Sequence, residues 1–311
     1  MTWVGPGTRP VITAVLFAAY TVASGFLTPS ALRRGWTART PRLAMGLWLA
    51  WPVSWIIGAV LAILAVAAPS LLSWPGSGPA AGHGEAAGWV LTGTGLALAA
   101  AIVLRTGACL AGELARRRHE LGEHAALAAA AGRPDHDLGV VIVDYDTPTA
   151  YCLPRGRQRI VVSAGALLAL RPEQIQAVVA HERAHLRGRH HLALAIAAAL
   201  ARAFPCVPLL TQAAPQLAVL AEMAADDAAA RRHDSEALAE ALVILARARV
   251  RPAALTAGGP AAIARMRRLL SPPPRRSVSR TKLAAAAALM LPAFIVCLPL
   301  LMAACHLVSR P

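Results

Sequence analysis

The sequence predicts a mainly α-helical membrane protein that carries a small α+β domain ahead of its last span. Three observations predict it. Apolar residues make up 57% of the 311-residue chain and charged residues only 15%, a balance unlike that of ordinary soluble domains. Four apolar runs each come close to the ~20 residues that cross a bilayer. Between the third run and the fourth, helical periodicity alternates with short β-branched runs such as Val140-Val141-Ile142-Val143 and Ile160-Val161-Val162.

The spans run from Val11 to about Thr28, Ala44 to about Ala68, Trp89 to about Leu104, and Leu283 to about Leu301. Cys109 and Leu110 extend the third past Arg105. Trp48, Trp51, Trp55, Trp74 and Trp89 fall in or near the second span and its outer loop, and several fit an interfacial belt. The first span is expected to stay in the protein rather than be cleaved as a signal peptide. Only Arg9 precedes it, and an arginine-rich loop follows directly.

Loop charges set the expected orientation. Arg33, Arg34, Arg39 and Arg42 fill the first connection, whereas the stretch from Leu71 to Gly88 holds no Lys or Arg. Arg116-Arg117-Arg118 follows the third span, and Arg275, Arg276, Arg280 and Lys282 precede the fourth. All basic clusters then lie in the cytoplasm and both chain termini outside. This gives a three-helix N-terminal membrane region (1–112), a cytoplasmic domain (113–281), and a C-terminal transmembrane helix with a short external tail (282–311). The net charge of +15 comes almost wholly from arginine. Loops on a membrane protein account for it, and no aromatic-interleaved basic patch appears, so no direct nucleic-acid binding is expected. The five cysteines form no CxxC pair and no disulfide framework, and none is needed as a metal ligand.

In the cytoplasmic segment, Glu113 to Gly132 reads as an Ala-rich helix continuing from the membrane, broken by Arg133-Pro134-Asp135. Gly139 to Asp144 and Arg159 to Ser163 read as strands. Thr147 to Pro154, bracketed by Pro148 and Pro154, is an edge strand or a loop. His191 to Leu210, interrupted by Arg202 and Pro205, reads as a buried or interfacial helix rather than a membrane hairpin. Ser235 to Val250 is a further amphipathic helix. Gly258-Gly259-Pro260 and Ser271-Pro272-Pro273-Pro274 read as linkers.

The chemistry is concentrated in His181-Glu182-Arg183-Ala184-His185. Pro172 and Glu173 suit the start of a helix leading into it. Residues four apart share a helix face, so His181 and His185 can aim two imidazoles at one zinc ion. Glu182 can then handle the proton of a water acidified there, as H-E-x-x-H requires. A second helical segment, Glu222-Met223-Ala224-Ala225-Asp226-Asp227, offers Glu222 as third ligand. Asp226, four residues on, can hydrogen-bond the outer nitrogen of a ligand histidine and fix its tautomer. Asp227 sits on the adjacent face. The fold class expected is therefore mainly α: multi-pass membrane helices with a cytoplasmic zincin-like α+β metalloprotease domain carrying a small sheet, and one Zn2+ per chain.

The other histidines read as unrelated to the site. His119-Glu120-Leu121-Gly122-Glu123-His124 resembles an inverted zinc motif, but the spacing is one residue too long, so a solvated helix face is expected. His190 and His191 fall off the face of His181 and His185. His233 is expected at a polar helix end.

These residues resemble those of the BlaR/MecR-type antirepressor membrane metallopeptidases. The resemblance rests on the stretch from Ala180 to His190, on Glu222 to Ala228, and on helices before and after a zinc domain. The chain is more distantly similar to HtpX-like membrane proteases, which share H-E-x-x-H and E-x-x-x-D. The resemblance implies His181, His185 and Glu222 as zinc ligands, Glu182 as general base and acid, and Asp226 as the residue orienting a ligand. It implies a protein or peptide substrate, with a cytosolic transcriptional repressor as the favoured kind. Past the fourth span only His306 to Pro311 remains, so no external penicillin-binding sensor domain is expected. A quality-control protease for membrane proteins, and a non-proteolytic receptor or scaffold braced by a structural zinc, are the alternative readings.

Overall fold

The structure, a computed structural model, describes residues 8–33, 35–67, 85–154, 160–249 and 255–271. Its N-terminal part is built from α1 (Thr8–Leu32), α2 (Pro41–Ala67) and α3 (Glu85–Ala131). Each holds a stretch long and apolar enough to cross a membrane, by length and composition. Helix α1 packs along α2, and partly buried polar groups pair across the contact. The Tyr20 and Ser54 hydroxyls lie 2.6 Å apart, and the Trp55 indole N–H donates to the Thr21 carbonyl at 2.9 Å. The expected fourth span lies outside the described residues.

No proline interrupts α3, and the third span and its Ala-rich continuation form one helix of 47 residues. At ~1.5 Å per residue it is roughly twice as long as a hydrocarbon core is thick. Where it passes into the domain, the carboxylate of Glu113 is fully buried. It accepts from Arg117 at 2.6 Å, Arg116 at 2.8 Å and Arg202 at 3.0 Å. A buried carboxylate without such partners is strongly disfavoured.

The domain contains a four-stranded sheet of order β1-β2-β4-β3: β1 (Gly132–Asp135), β2 (Val140–Val143), β3 (Ala150–Cys152) and β4 (Ile160–Ser163). Strands β2 and β4 are parallel; the outer two pair antiparallel. The Arg133-Pro134-Asp135 break is thus itself a strand. Pro134 fits there because β1 is an edge, where a missing N–H costs no ladder bond. The proline-bracketed stretch supplies the opposite edge, β3. Ser163 caps the short helix α4 (Ala164–Ala169) by accepting from the Ala166 N–H at 3.1 Å.

Four longer helices follow: α5 (Pro172–Arg187), α6 (His190–Ala203), α7 (Pro208–Ala229) and α8 (Ser235–Arg249). Trp48 of α2 joins Leu200 of α6 and Leu209, Leu210 and Leu217 of α7 in one buried cluster. The domain is therefore seated directly on the N-terminal helices. Helix α6 lies inside that contact, and its 14 residues are short of a bilayer's thickness.

One expectation is overturned in the last described element. Gly258-Gly259-Pro260, read as a linker, lies inside α9 (Leu255–Leu270). Tertiary contacts override its poor helix propensity. Met266 and Leu269 pack on Leu238 and Ala239, and Arg268 binds both Asp227 carboxylate oxygens, at 2.7 and 3.0 Å, as well as the Ala38 carbonyl.

Candidate active site

Helix α5 starts where the sequence places Pro172. The Arg171 N–H donates to the Gln174 side chain at 2.9 Å, and the Gln174 amide donates to Glu240 at 2.8 Å. Ile175, Val178 and Val179 bury one face against Val140, Ile160 and Val162 of the sheet. With that face fixed, His181 comes to lie 3% exposed and His185 partly covered.

Helix α7 crosses α5 where both carry alanines. Ala184, Ala225 and Ala228 form a contact of small side chains, which lets the helices approach closely enough for Glu222 to reach the histidines. His181 Nε2 lies 3.1 Å from His185 Nε2 and 3.7 Å from Glu222 Oε2, and His185 Nε2 lies 3.4 Å from Glu222 Oε1. Ligand atoms on a tetrahedral zinc at about 2.0–2.2 Å are roughly 3.3–3.6 Å apart. The donor set fits zinc, and the distances of 3.1, 3.4 and 3.7 Å bracket that range. Among the described residues these three form the one group able to hold a metal ion.

Asp226 is almost fully buried, and its Oδ1 lies 3.0 Å from His181 Nδ1, on the far side of the ring from Glu222. Asp227 faces away, to Arg268. Burial opposes a charge on His181, yet the Asp226 and Glu222 carboxylates outweigh it and hold the imidazole up at about 9. Burial pushes His185 down to about 4, the neutral form that ligates metal. For Glu222, burial opposes ionisation, but His181, Arg265 and His185 pull the carboxyl down to about 2. Asp226 is lowered too, by Arg265 and then His181 against the same penalty.

Two contributors escaped the sequence reading. Arg265 of α9 grips Asp226 through two hydrogen bonds, at 2.8 and 2.9 Å, and reaches Glu222 Oε2 at 2.9 Å. His190 corrects the expectation that it falls off the histidine face. Its Nδ1 lies 3.0 Å from His185 Nδ1. Helical spacing stops applying because α5 ends at Gly188, and Arg189 adopts a left-handed φ of 48° that folds His190 back. A Cβ at Gly188 would lie 2.3 Å from the His190 ring, so this approach needs the glycine.

Glu182 lines a cleft of about 910 Å³ shared with Tyr151 and Cys152 of β3, Glu222 of α7 and Arg265 of α9. Burial first, then the charge of Glu182 and a hydrogen bond to it, push the Cys152 thiol up to about 12. His119 sits on an exposed helix face, 3.5 Å from Glu123, as expected. His233 lies at the end of α7, its N–H donating to the Ala229 carbonyl.

No solved structure matches the chain. The profile of Peptidase family M48 matches residues 113–272, more than half of the sequence and a span that contains the histidine pair, Glu222 and Arg265. The chain belongs to Peptidase family M48, a family of zinc metallopeptidases.

Proposed function

We propose that the protein is a membrane-embedded zinc endopeptidase that cuts peptide bonds at the cytoplasmic face, with a repressor-type regulatory protein as its substrate. One observation carries the reading. The His181, His185 and Glu222 donors converge in an open cleft that also holds Glu182 and is walled by an edge strand.

His181, His185 and Glu222 hold the metal in this proposal. A zinc there, when bound, polarises a carbonyl and acidifies a water. Glu182 takes the proton of the attacking water and passes it to the amine nitrogen as the peptide C–N bond breaks. Asp226 keeps Nδ1 of His181 turned away from the cleft, so that Nε2 points to the metal. Arg265 steadies Asp226 and Glu222 together. Strand β3 offers its open side to an extended peptide, which adds as a further strand beside Tyr151. Such pairing suits flexible segments, which need little unfolding. A structural zinc, by contrast, is usually closed by four protein ligands.

The arginine-rich connections before α2 and after the third span support a cytoplasmic site. The test is to express Glu182→Gln, which keeps the cleft but lacks the base, and to identify the proteins that accumulate with it. A soluble DNA-binding repressor that is cut by wild type and retained intact by the variant is the expected result. Accumulation of misfolded membrane proteins alone would replace this substrate with a quality-control role.

A further inference from the structure

Behind the α5 helix, away from the cleft, lies a second cavity of about 600 Å³. Four arginines line it: Arg42 from the first turn of α2, Arg187 from the last turn of α5, and Arg231 and Arg232 from the chain just past α7. Among the described residues no carboxylate lines it, and none of the four makes an ion pair. The deeper wall is apolar, with Met45, Leu49 and Ala193.

Arginines at the end of α5 and just past α7 offset the negative ends of those helices, and that alone explains part of the pattern. It does not explain Arg42. That residue sits in the first turn of α2, where the helix dipole repels a cation and no acidic residue relieves it. A flanking charge for a membrane span explains why residue 42 is basic, but not why it lines one open-sided cavity with three further arginines, all four of them exposed to solvent. Four unpaired guanidiniums around a cavity with no acid call for an anion that several of them can bind at once.

The position narrows the anion's source. Helix α2 is 27 residues long, so at ~1.5 Å per residue it exceeds the ~30 Å hydrocarbon core and carries its first turn into the headgroup layer. A cavity that is basic at that level and apolar beside it matches a lipid's phosphate and the start of its chains. We infer that this cavity binds the phosphate group of an anionic phospholipid, through Arg42, Arg187, Arg231 and Arg232. His190, which touches His185 on one side, lines the cavity on the other, so the bound lipid abuts the end of the active helix. The binding claim stands independently of the peptidase reading.

The test uses the full chain in zwitterionic detergent, with native mass spectrometry counting retained phosphatidylglycerol against phosphatidylcholine. Two variants remove the site in different ways. Arg231→Gln/Arg232→Gln removes half the charge. Gly46→Phe keeps every charge but fills the cavity, because a Cβ at Gly46 meets nothing within 4 Å. Wild type should prefer phosphatidylglycerol, and each variant should weaken its retention by about tenfold or more. Adding millimolar inorganic phosphate separates the sources. Lipid that stays bound supports the headgroup, whereas displacement by free phosphate would overturn it in favour of a soluble anion. Equal retention by wild type and both variants would overturn the site altogether.

Discussion

The two sides of α5 make opposite electrostatic environments from one helix. Towards the cleft, His181 and His185 meet Glu182, Glu222 and Asp226, with Arg265 as the cation that holds two of those carboxylates. Towards the membrane helices, Arg187 faces three more arginines and no acid. The cleft side is internally satisfied, each buried charge having a partner. The rear side instead carries exposed arginines that have no ion-pair partner among the described residues. A site that stores its own counter-charges is preorganised for chemistry, whereas one that leaves cations unpaired is prepared for an incoming anion.

Breaking the cleft at its metal should have the largest effect. Glu222→Ala removes one of three donors and leaves Arg265 with one fewer carboxylate. Zinc, measured by mass spectrometry of metal content, should fall to background and peptidase activity with it. Asp226→Ala should be milder, weakening zinc affinity about 10–100-fold, since in the proposed site it orients His181 without itself holding the metal. Full zinc content in Glu222→Ala would remove that residue from the ligand set.

Next in size is the loss of the cation that balances the cleft. In Arg265→Ala the nearly buried Asp226 loses its two-pronged partner, and α9 loses one of its ties to α7. Breaking a buried pair from one side costs on the order of 3 kcal/mol. Thermal unfolding in detergent should therefore shift down by several degrees, with Arg265→Lys recovering only part of it because an ammonium cannot make the paired contact. An unchanged unfolding temperature would reduce Arg265 to a bystander.

Much of the cleft could be read from the sequence because it lies on regular helices. The four-residue spacings of His181 to His185 and Glu222 to Asp226 survive folding, so pattern alone places these residues on the right faces. What could not be read lies where a helix stops or where distant chain returns. His190 is beyond the left-handed turn at Arg189, and no periodicity carries through such a turn. Arg265 follows a Gly-Gly-Pro run that argues locally against a helix, and only packing on α8 and the carboxylates of α7 makes one. The sheet was partly legible. Its two β-branched strands announce themselves, whereas β1 consists of Gly132, Arg133, Pro134 and Asp135 and is a strand only because β2 pairs with it. The Glu113 cluster depends on Arg202, 89 residues away, which no local signal ties to it.

The smallest expected effect is a chemical one and reads the field inside the cleft. Burial and then Glu182 hold the Cys152 thiol at about 12. A raised value means less thiolate at any given pH, so at pH 8 Cys152 should alkylate more slowly than the exposed Cys206. Its reactivity should climb only as pH approaches 12. Glu182→Gln removes the charge and should speed the reaction at Cys152 while leaving Cys206 alone. An unchanged Cys152 rate in Glu182→Gln would show that the carboxylate does not reach the thiol.

The division of labour between holding the metal and moving the proton is tested most directly by Glu182→Gln, with zinc content and hydrolysis of an unstructured protein measured on the same preparation. The amide keeps the shape of the side chain, but it cannot accept a proton. The expected result is one zinc per chain, as in wild type, with hydrolysis reduced about 10²–10⁴-fold. Zinc-loaded Glu182→Gln that turns over substrate at the wild-type rate would contradict the account.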